Sequence, residues 1–375
     1  MRQRYLRAVV FLSIVSCNQH VDKDSLPHLV DLIVIDSVLV EEPDFFMNGQ
    51  FQVKLIGDSL IGVSSYKSPS VGFYHISGKQ RKRIASGDYP IGAFSPSYFD
   101  ASEYPIVYIL DGKSESILCF EVEKQEFLEK IKLDLPDGKK VKLLGANFKK
   151  IKNGFLVELT SSEYDVLHPD FYKKSGSLVY TFGLDGKAKN LSFIEYPHEY
   201  KSVEVSLTPS NYLSMGSYSD KVLFSFPHSK IISIYSDSGK FLDTLPLPQS
   251  RYFDYALVGA EKVVGYNDLF NSGDNEKIRL PNNDYFTSIY GSKGFYLFET
   301  WMNNGEVGPG YATHCHLLIF DQKKNKWSET SNPKNLLDIG MLAGVVNDTL
   351  YFYEGSLIRN DEKYIKRAVL KQIEG

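Results

Sequence analysis

Tryptophan is the scarcest residue of this 375-residue chain, with 2 copies, and cysteine follows with 3. Three cysteines cannot staple a small scaffold together, so the fold has to rest on an apolar core. No stretch approaches the roughly 18 continuous apolar residues that a membrane-spanning helix requires. Positive charge is not in surplus: 42 Lys and Arg face 46 Asp and Glu, which gives no footing for nucleic acid as a partner. Catalytic signatures are missing as well. There is no Gly-x-Ser-x-Gly elbow, no phosphate-binding loop, no dinucleotide fingerprint and no His-Glu-x-x-His, and no cofactor is expected. Convincing amphipathic helices are absent too.

What the chain does have is tyrosine and phenylalanine, 25 and 24 copies, within a hydrophobic content of 43%. That much apolar material supports a sizeable core, and these two aromatics favour the pleated, half-buried surface of a sheet.

The N-terminus carries an address. Arg2, Arg4 and Arg7 precede a short apolar run, Ala8 to Val15, and Ile14-Val15-Ser16-Cys17 resembles the bacterial lipobox. The resemblance implies removal of residues 1–16, a lipid on Cys17, a tether over 17–27 and a body over 28–375 held at a membrane. Without the three arginines, 39 basic residues face 46 acidic ones, a net −7. Cys119 and Cys315 remain, each inside an apolar strand-like run. An oxidising compartment permits a disulfide between them, but the repeat described next puts them in non-adjacent units and favours two buried thiols.

A hairpin recurs along the chain. Apolar residues, a tight polar turn and a strongly apolar strand appear in Leu55 to Val63, Ile151 to Leu159, Leu257 to Gly265, Ile289 to Leu297 and Val345 to Phe352. Their Gly-Asp, Asn-Gly and Asn-Asp turns tolerate the positive φ that two-residue hairpins demand. A second hairpin follows several of them, with turns such as Ser77-Gly78-Lys79 and Asp237-Ser-Gly-Lys240 and a charged outer strand. Arg81-Lys-Arg83 and Lys130 to Lys132 fit that outer position, where charge discourages edge-to-edge association.

An apolar inner hairpin followed by a polar-turned outer one is a four-stranded blade. The expected fold is all-β, a single β-propeller with complete units near 45–90, 91–140, 141–200, 201–250 and 283–338. A seventh unit is expected from 251–282, six blades being the alternative if that stretch is only a connection. The last unit, 339–375, is one strand short. The strand Asp31 to Val40 completes it and closes the ring by pairing the two chain ends.

A lipobox, a short tether and degenerate blades over nearly the whole chain resemble the β-propeller lipoproteins of unknown function from Bacteroidetes-type bacteria. Gly87-Asp-Tyr-Pro-Ile-Gly-Ala-Phe94 is similar to the Gly-x-Gly-Pro-x-Glu-Phe signature of TolB-like members, with its Gly-Pro-Gly core broken. The resemblance implies a fold and a place at the envelope, on the outer membrane, and carries over no functional residue beyond Cys17.

Three constellations bear on chemistry. His314 and His316, two apart on a strand, share a face where a soft divalent metal would need further ligands; the ordinary alternative is a solvent-facing pair. Asp268, Asn271 and Asp274 concentrate oxygen ligands around a Gly turn, as a calcium loop does, although such clusters are more often plain loops and no metal is favoured. Tyr164, Phe171, Tyr172, Tyr196, Trp301 and Tyr311 lie in or beside the longest loops, 161–176 and 301–313. Tyr164, Tyr172, Trp301 and Tyr311 are the binding-surface candidates, suited to a protein partner or a glycan. The expected role is non-catalytic binding or scaffolding at the envelope, anchored through Cys17. The alternative is a carbohydrate-binding or carbohydrate-active propeller using channel carboxylates.

Overall fold

The computed structural model describes residues 26–43, 50–65, 67–166, 168, 170–202, 213–256, 285–292, 294–302, 314–354 and 362–373. The hairpin pattern read above becomes antiparallel strands. Where the Asn347-Asp348 turn was expected, both residues take positive φ, 47° and 64°, the geometry of a two-residue hairpin that follows the strand twist.

Strand β1 (His28–Leu39) comes first and finds its antiparallel partner at the far end of the chain. Four strands then run in sequential order, β2 (Gln50–Ile56), β3 (Leu60–Ser65), β4 (Ser70–His75) and β5 (Gln80–Ala85). A second unit repeats the order with β6 (Pro96–Glu103), β7 (Ile106–Asp111), β8 (Ser116–Glu121) and β9 (Glu126–Lys132). In the third, β10 (Lys139–Val141) and β11 (Phe148–Ile151) both pair with β12 (Gly154–Ser161), which leads to β13 (Val179–Phe182) and β14 (Ala188–Phe193). The fourth comprises β15 (Ser214–Tyr218), β16 (Lys221–Ser225), β17 (Ile231–Ser236) and β18 (Phe241–Pro246). The fifth comprises β19 (Tyr285–Gly291), β20 (Phe295–Met302), β21 (His314–Asp321) and β22 (Lys326–Thr330), with the short β23 (Lys334–Asn335) also on β21. The sixth is β24 (Met341–Val346), β25 (Thr349–Glu354), β26 (Tyr364–Gln372) and then β1.

Five of these units fall where the sequence pattern put them. The strand expected over 31–40 lies beside the C-terminal one, in register from Val30↔Gln372 to Leu39↔Tyr364, with Arg367 and Asp36 paired across the two. Beyond Ala256, the seventh unit expected over 251–282 lies outside the described residues.

The units pack face to face. Six apolar clusters are found among the described residues, five of them joining one unit to the next: Phe73 with Phe99, Tyr108 with Phe155, Leu156 with Phe224, Leu223 with Phe298 and Leu297 with Phe352. The sixth brings Tyr353 and Ala343 of the last unit against Val63 and Tyr74 of the first. Each large side chain buried in this way contributes about 1.5–3 kcal/mol.

Polar grips accompany the apolar contacts. Gln52 exchanges two hydrogen bonds with the backbone of Phe99. The Ser97 hydroxyl donates to the Lys142 carbonyl at 2.7 Å. The Asn147 amide donates to the Leu213 carbonyl at 2.6 Å, and the Ser214 hydroxyl to the Phe286 carbonyl at 2.8 Å. The Leu342 N–H donates to Glu299 at 3.1 Å. Each reaches from an innermost strand, or from the strand beside it, to the following unit, so apolar faces that slide freely are fixed in one register.

Units four and five touch more closely still. β15 and β19 are hydrogen-bonded in parallel, Gly216 opposite Ile289 and Ser217 opposite Tyr290. A Cβ on Gly216 would sit 2.4 Å from the Ile289 carbonyl oxygen, so only glycine allows this approach.

Candidate functional site

The innermost strands β2, β6, β11, β15, β19 and β24 surround one cavity of about 930 Å³. That volume is at the upper end for small-molecule sites, which usually span about 300–1,000 Å³. Two lysines and two carboxylates, Lys54, Lys149, Asp58 and Asp100, are the charged residues of its described lining. All four come from the first three units. The wall supplied by the other three carries serine, threonine and apolar or aromatic side chains, among them Met215, Ile289, Tyr290, Trp301 and Leu342.

Local geometry positions the charged half. Lys54 lies on β2, two residues beyond Gln52, whose grip on Phe99 holds β2 against β6. Its ammonium sits 4.3 Å from the centre of the Tyr98 ring, a cation–π contact, and reaches the Phe99 carbonyl only at 3.4 Å. Asp100 is buried on β6, and its Oδ1 accepts from the Ser102 N–H at 2.9 Å and the Ser102 hydroxyl at 2.6 Å. Lys149 lies on β11, half-buried, with no carboxylate in ion-pair range among the described residues. Burial depresses its amine below the ordinary lysine value; Asp100 opposes this, Lys54 adds to it, and Asp237 opposes it most weakly.

Behind the apolar wall sits a buried carboxylate. Glu299 accepts from the Leu342 N–H at 3.1 Å, the Trp301 indole N–H at 3.2 Å and the Thr287 hydroxyl at 2.8 Å. Burial raises its pKa and these donors pull it back. By this network Trp301, half-buried at the cavity, is held in place.

The sequence candidates are scattered. Trp301 lines the cavity. Tyr164 is half-buried, its ring 5.1 Å from the Lys174 ammonium and packed on the third and fourth units. Tyr172 was expected on a binding surface and is instead in the core: it is 2% exposed and packs edge-on to Phe171, Tyr196 and Tyr200. The reason is that the four-residue helix Phe171–Lys174 turns its aromatic side inward over the cluster between units three and four. Phe171 and Tyr196 share that burial.

His314 and His316 do share a face of β21, but not as a solvent-facing pair. His314 is half-buried and His316 is 1% exposed. The His316 ring lies 5.4 Å from Tyr252, with Nε2 3.5 Å from Glu329, which also accepts from Arg251 and Ser250. Among the described residues, no group of three or more His, Cys, Asp or Glu could hold a metal ion. Cys119 and Cys315 are buried free thiols in the second and fifth units. Cys17, Tyr311 and the calcium-loop candidates Asp268, Asn271 and Asp274 lie outside the described residues.

Lys54, Lys149, Tyr98 and Asp100 were not singled out in the sequence. The signal was present: Gln52-Val-Lys-Leu55 puts one lysine, and Phe148-Lys-Lys-Ile151 two, beside the apolar residues of innermost strands.

Consecutive antiparallel units whose first strands line one cavity have an architectural match among solved structures. A member of the DUF4221 family from Bacteroides vulgatus ATCC 8482 superimposes with a TM-score of 0.69 at 14% identity, covering 92% of this chain and 100% of that one. The fold is a β-propeller. A protein of Bacteroides fragilis NCTC 9343 described as exported gives a TM-score of 0.57 at 10% identity, covering 93% of this chain and 99% of that one. A streptogramin B lyase overlaps more loosely, with a TM-score of 0.46 at 13% identity over 91% and 98% of the two chains. At these identities the likeness concerns the fold alone. No family model and no curated protein matches the sequence.

Proposed function

We propose that this protein is a lipid-anchored, six-bladed envelope propeller that binds a small ligand in its central cavity without transforming it. The carrying observation is the cavity of about 930 Å³ on which all six innermost strands converge, charged on one half and apolar on the other. Six blades in a ring are supported by two features. The direct pairing of β15 with β19 leaves no room between them for another blade. The apolar clusters run from each unit to the next and from the last back to the first. On this reading β1 closes the ring as the outer strand of the last blade.

Binding rather than carboxylate-driven hydrolysis is favoured by the two carboxylates of the lining, Asp58 being on an exposed turn and Asp100 being held by Ser102. The lipobox at Ile14 to Cys17 supports the anchor and, with the exported relative in fold, a place at the cell envelope.

Protein lacking residues 1–17 is to be tested with small molecules extracted from the envelope, with thermal shift as readout. Ligands that stabilise it and stabilise Ser217→Trp, which puts an indole into the cavity lining, less or not at all support the reading. Equal stabilisation of both proteins overturns it, and progressive shortening of an added glycan would point to an enzyme. The anchor is tested separately: Cys17→Ala should leave the membrane fraction, and its retention there refutes lipidation.

A further inference from the structure

Resting on the cavity-binding reading, we infer that the ligand is an amphipathic organic anion, its carboxylate or phosphate held between Lys54 and Lys149 and its apolar body laid against the Ile289–Trp301 wall. Three observations on the cavity carry this.

The first is the distribution of charge. Every charged lining residue belongs to the first three innermost strands or the turn after β2, and the lining from the other three strands has none. A uniformly polar ligand would leave the apolar half wet, and a uniformly apolar one would strip water from two ammonium groups. A molecule with one charged end and one apolar end satisfies both halves.

The second is the sign. Lys54, Lys149 and Asp100 lie within electrostatic reach of one another, and burial together with the neighbouring Lys54 destabilises the charged form of Lys149. Asp58, the fourth charge, is on an exposed turn. Of the charges lining the interior, two are cations and one is a carboxylate, Asp237 acting on Lys149 only weakly from outside the lining, and Oδ1 of Asp100 already serves Ser102. A bound oxyanion supplies the missing charge.

The third is the availability of donors. A lysine ammonium has three N–H groups. Lys54 makes one long contact, to the Phe99 carbonyl at 3.4 Å, and rests its charge on Tyr98. Lys149 has no carboxylate in ion-pair range among the described residues, whereas its neighbour Lys150, turned away from the cavity, meets Glu103 at 3.3 Å and the Ile151 carbonyl at 2.8 Å. Two adjacent lysines on one strand are thus treated differently, and the one at the cavity keeps its donors.

The test uses protein lacking residues 1–17 and three probes of the same shape: 2-naphthoate, 2-naphthyl phosphate and the neutral 2-naphthamide. Calorimetry should find one of the anions bound about tenfold or more tightly than the amide, the discrimination expected of a charge-assisted contact. Which anion is preferred separates a carboxylate ligand from a phosphate ester. Lys149→Gln and Lys54→Gln should each lose that preference while binding the amide within about twofold of the parent, and Lys149→Arg should keep it. As a readout independent of affinity, acetylation of Lys149 by acetic anhydride, followed by mass spectrometry, should be slowed by the anion and not by the amide. Equal affinity for anion and amide, or unchanged anion binding in Lys149→Gln, overturns the inference and leaves the cavity-binding reading standing. Failure of all three probes to bind, or undiminished binding to Ser217→Trp, overturns both.

Discussion

Gln52 and Phe99 are bound to each other twice: the glutamine amide donates to the phenylalanine carbonyl at 3.0 Å and its oxygen accepts from the phenylalanine N–H at 2.9 Å. The two residues lie on the innermost strands of consecutive units, and both are buried. One side chain thus satisfies a donor and an acceptor that the sheet ladders leave unpaired at the junction.

Gln52→Leu keeps most of the volume and removes both bonds. Urea denaturation should register a loss of about 2–5 kcal/mol, because each buried backbone group left unpaired costs about 1–3 kcal/mol. A loss below about 0.5 kcal/mol would mean that water replaces the amide and that the junction is held by apolar packing alone.

The buried pair of Lys363 and Glu42, to which Tyr74 also donates at 2.5 Å, ties the start of β26 to the segment after β1. Lys363→Met should destabilise by about 3–5 kcal/mol, since it leaves a buried carboxylate without its partner. The double variant Lys363→Met, Glu42→Leu should recover most of that. If the double variant is no better than the single one, the pair sets the path of the chain rather than balancing charge.

Acid sensitivity follows from His316 and Glu329. Burial lowers the imidazole below its ordinary value, so it folds neutral and contributes stability above about pH 6.5 that is lost as pH falls toward its folded value. For Glu329, burial raises the carboxyl, but hydrogen bonds from His316, Ser250 and Arg251 outweigh it and hold the group low. Its contribution is present above about pH 4.3 and lost below, as the carboxyl protonates. Unfolding free energy should therefore decline on acidification in two stages, and His316→Gln should shrink the upper one, to which His228, also lowered by burial, contributes the rest. Glu299, raised by burial, works in the opposite sense and is silenced by Glu299→Gln. A profile that rises steadily as pH drops from 7 to 5 would contradict the assignment to His316.

The two buried thiols should be inert. Burial first, and nearby Glu129 and Glu103 after it, push Cys119 up to about 11, and burial with Glu299 beside it raises Cys315 well above the ordinary thiol value. In native protein lacking residues 1–17, a thiolate-specific reagent at pH 8 should label neither residue within minutes, and both after denaturation. Rapid labelling of Cys119 alone would indicate that the second unit opens locally.

The repeat was legible because its information is local. Turns such as Asn347-Asp348 and outer edges such as Arg81 to Arg83 announce themselves within ten residues. The pairing of β1 with β26 could be reasoned out because the last unit lacked a strand and one strand lacked a unit. Tyr172 was misplaced because an aromatic in a loop looks the same whether a short helix turns it outward or inward; only the cluster between units three and four decides. Lys54 and Lys149 were missed for the converse reason. They are 95 positions apart, and nothing in either strand says that both edges face one cavity.

The order in which the chain is made gives the sixth sheet a particular position. Asp36 and Arg367 meet across 331 positions of sequence, so β1 is made long before its antiparallel partner. Val30 and Leu32 join a cluster shared by Leu297 and Leu317 of the fifth unit and Phe352 of the sixth, and the first residues of β1 pair in parallel with β22, Val30 opposite Thr330. Completion of the fold is therefore a long-range event, slow compared with the formation of the local hairpins.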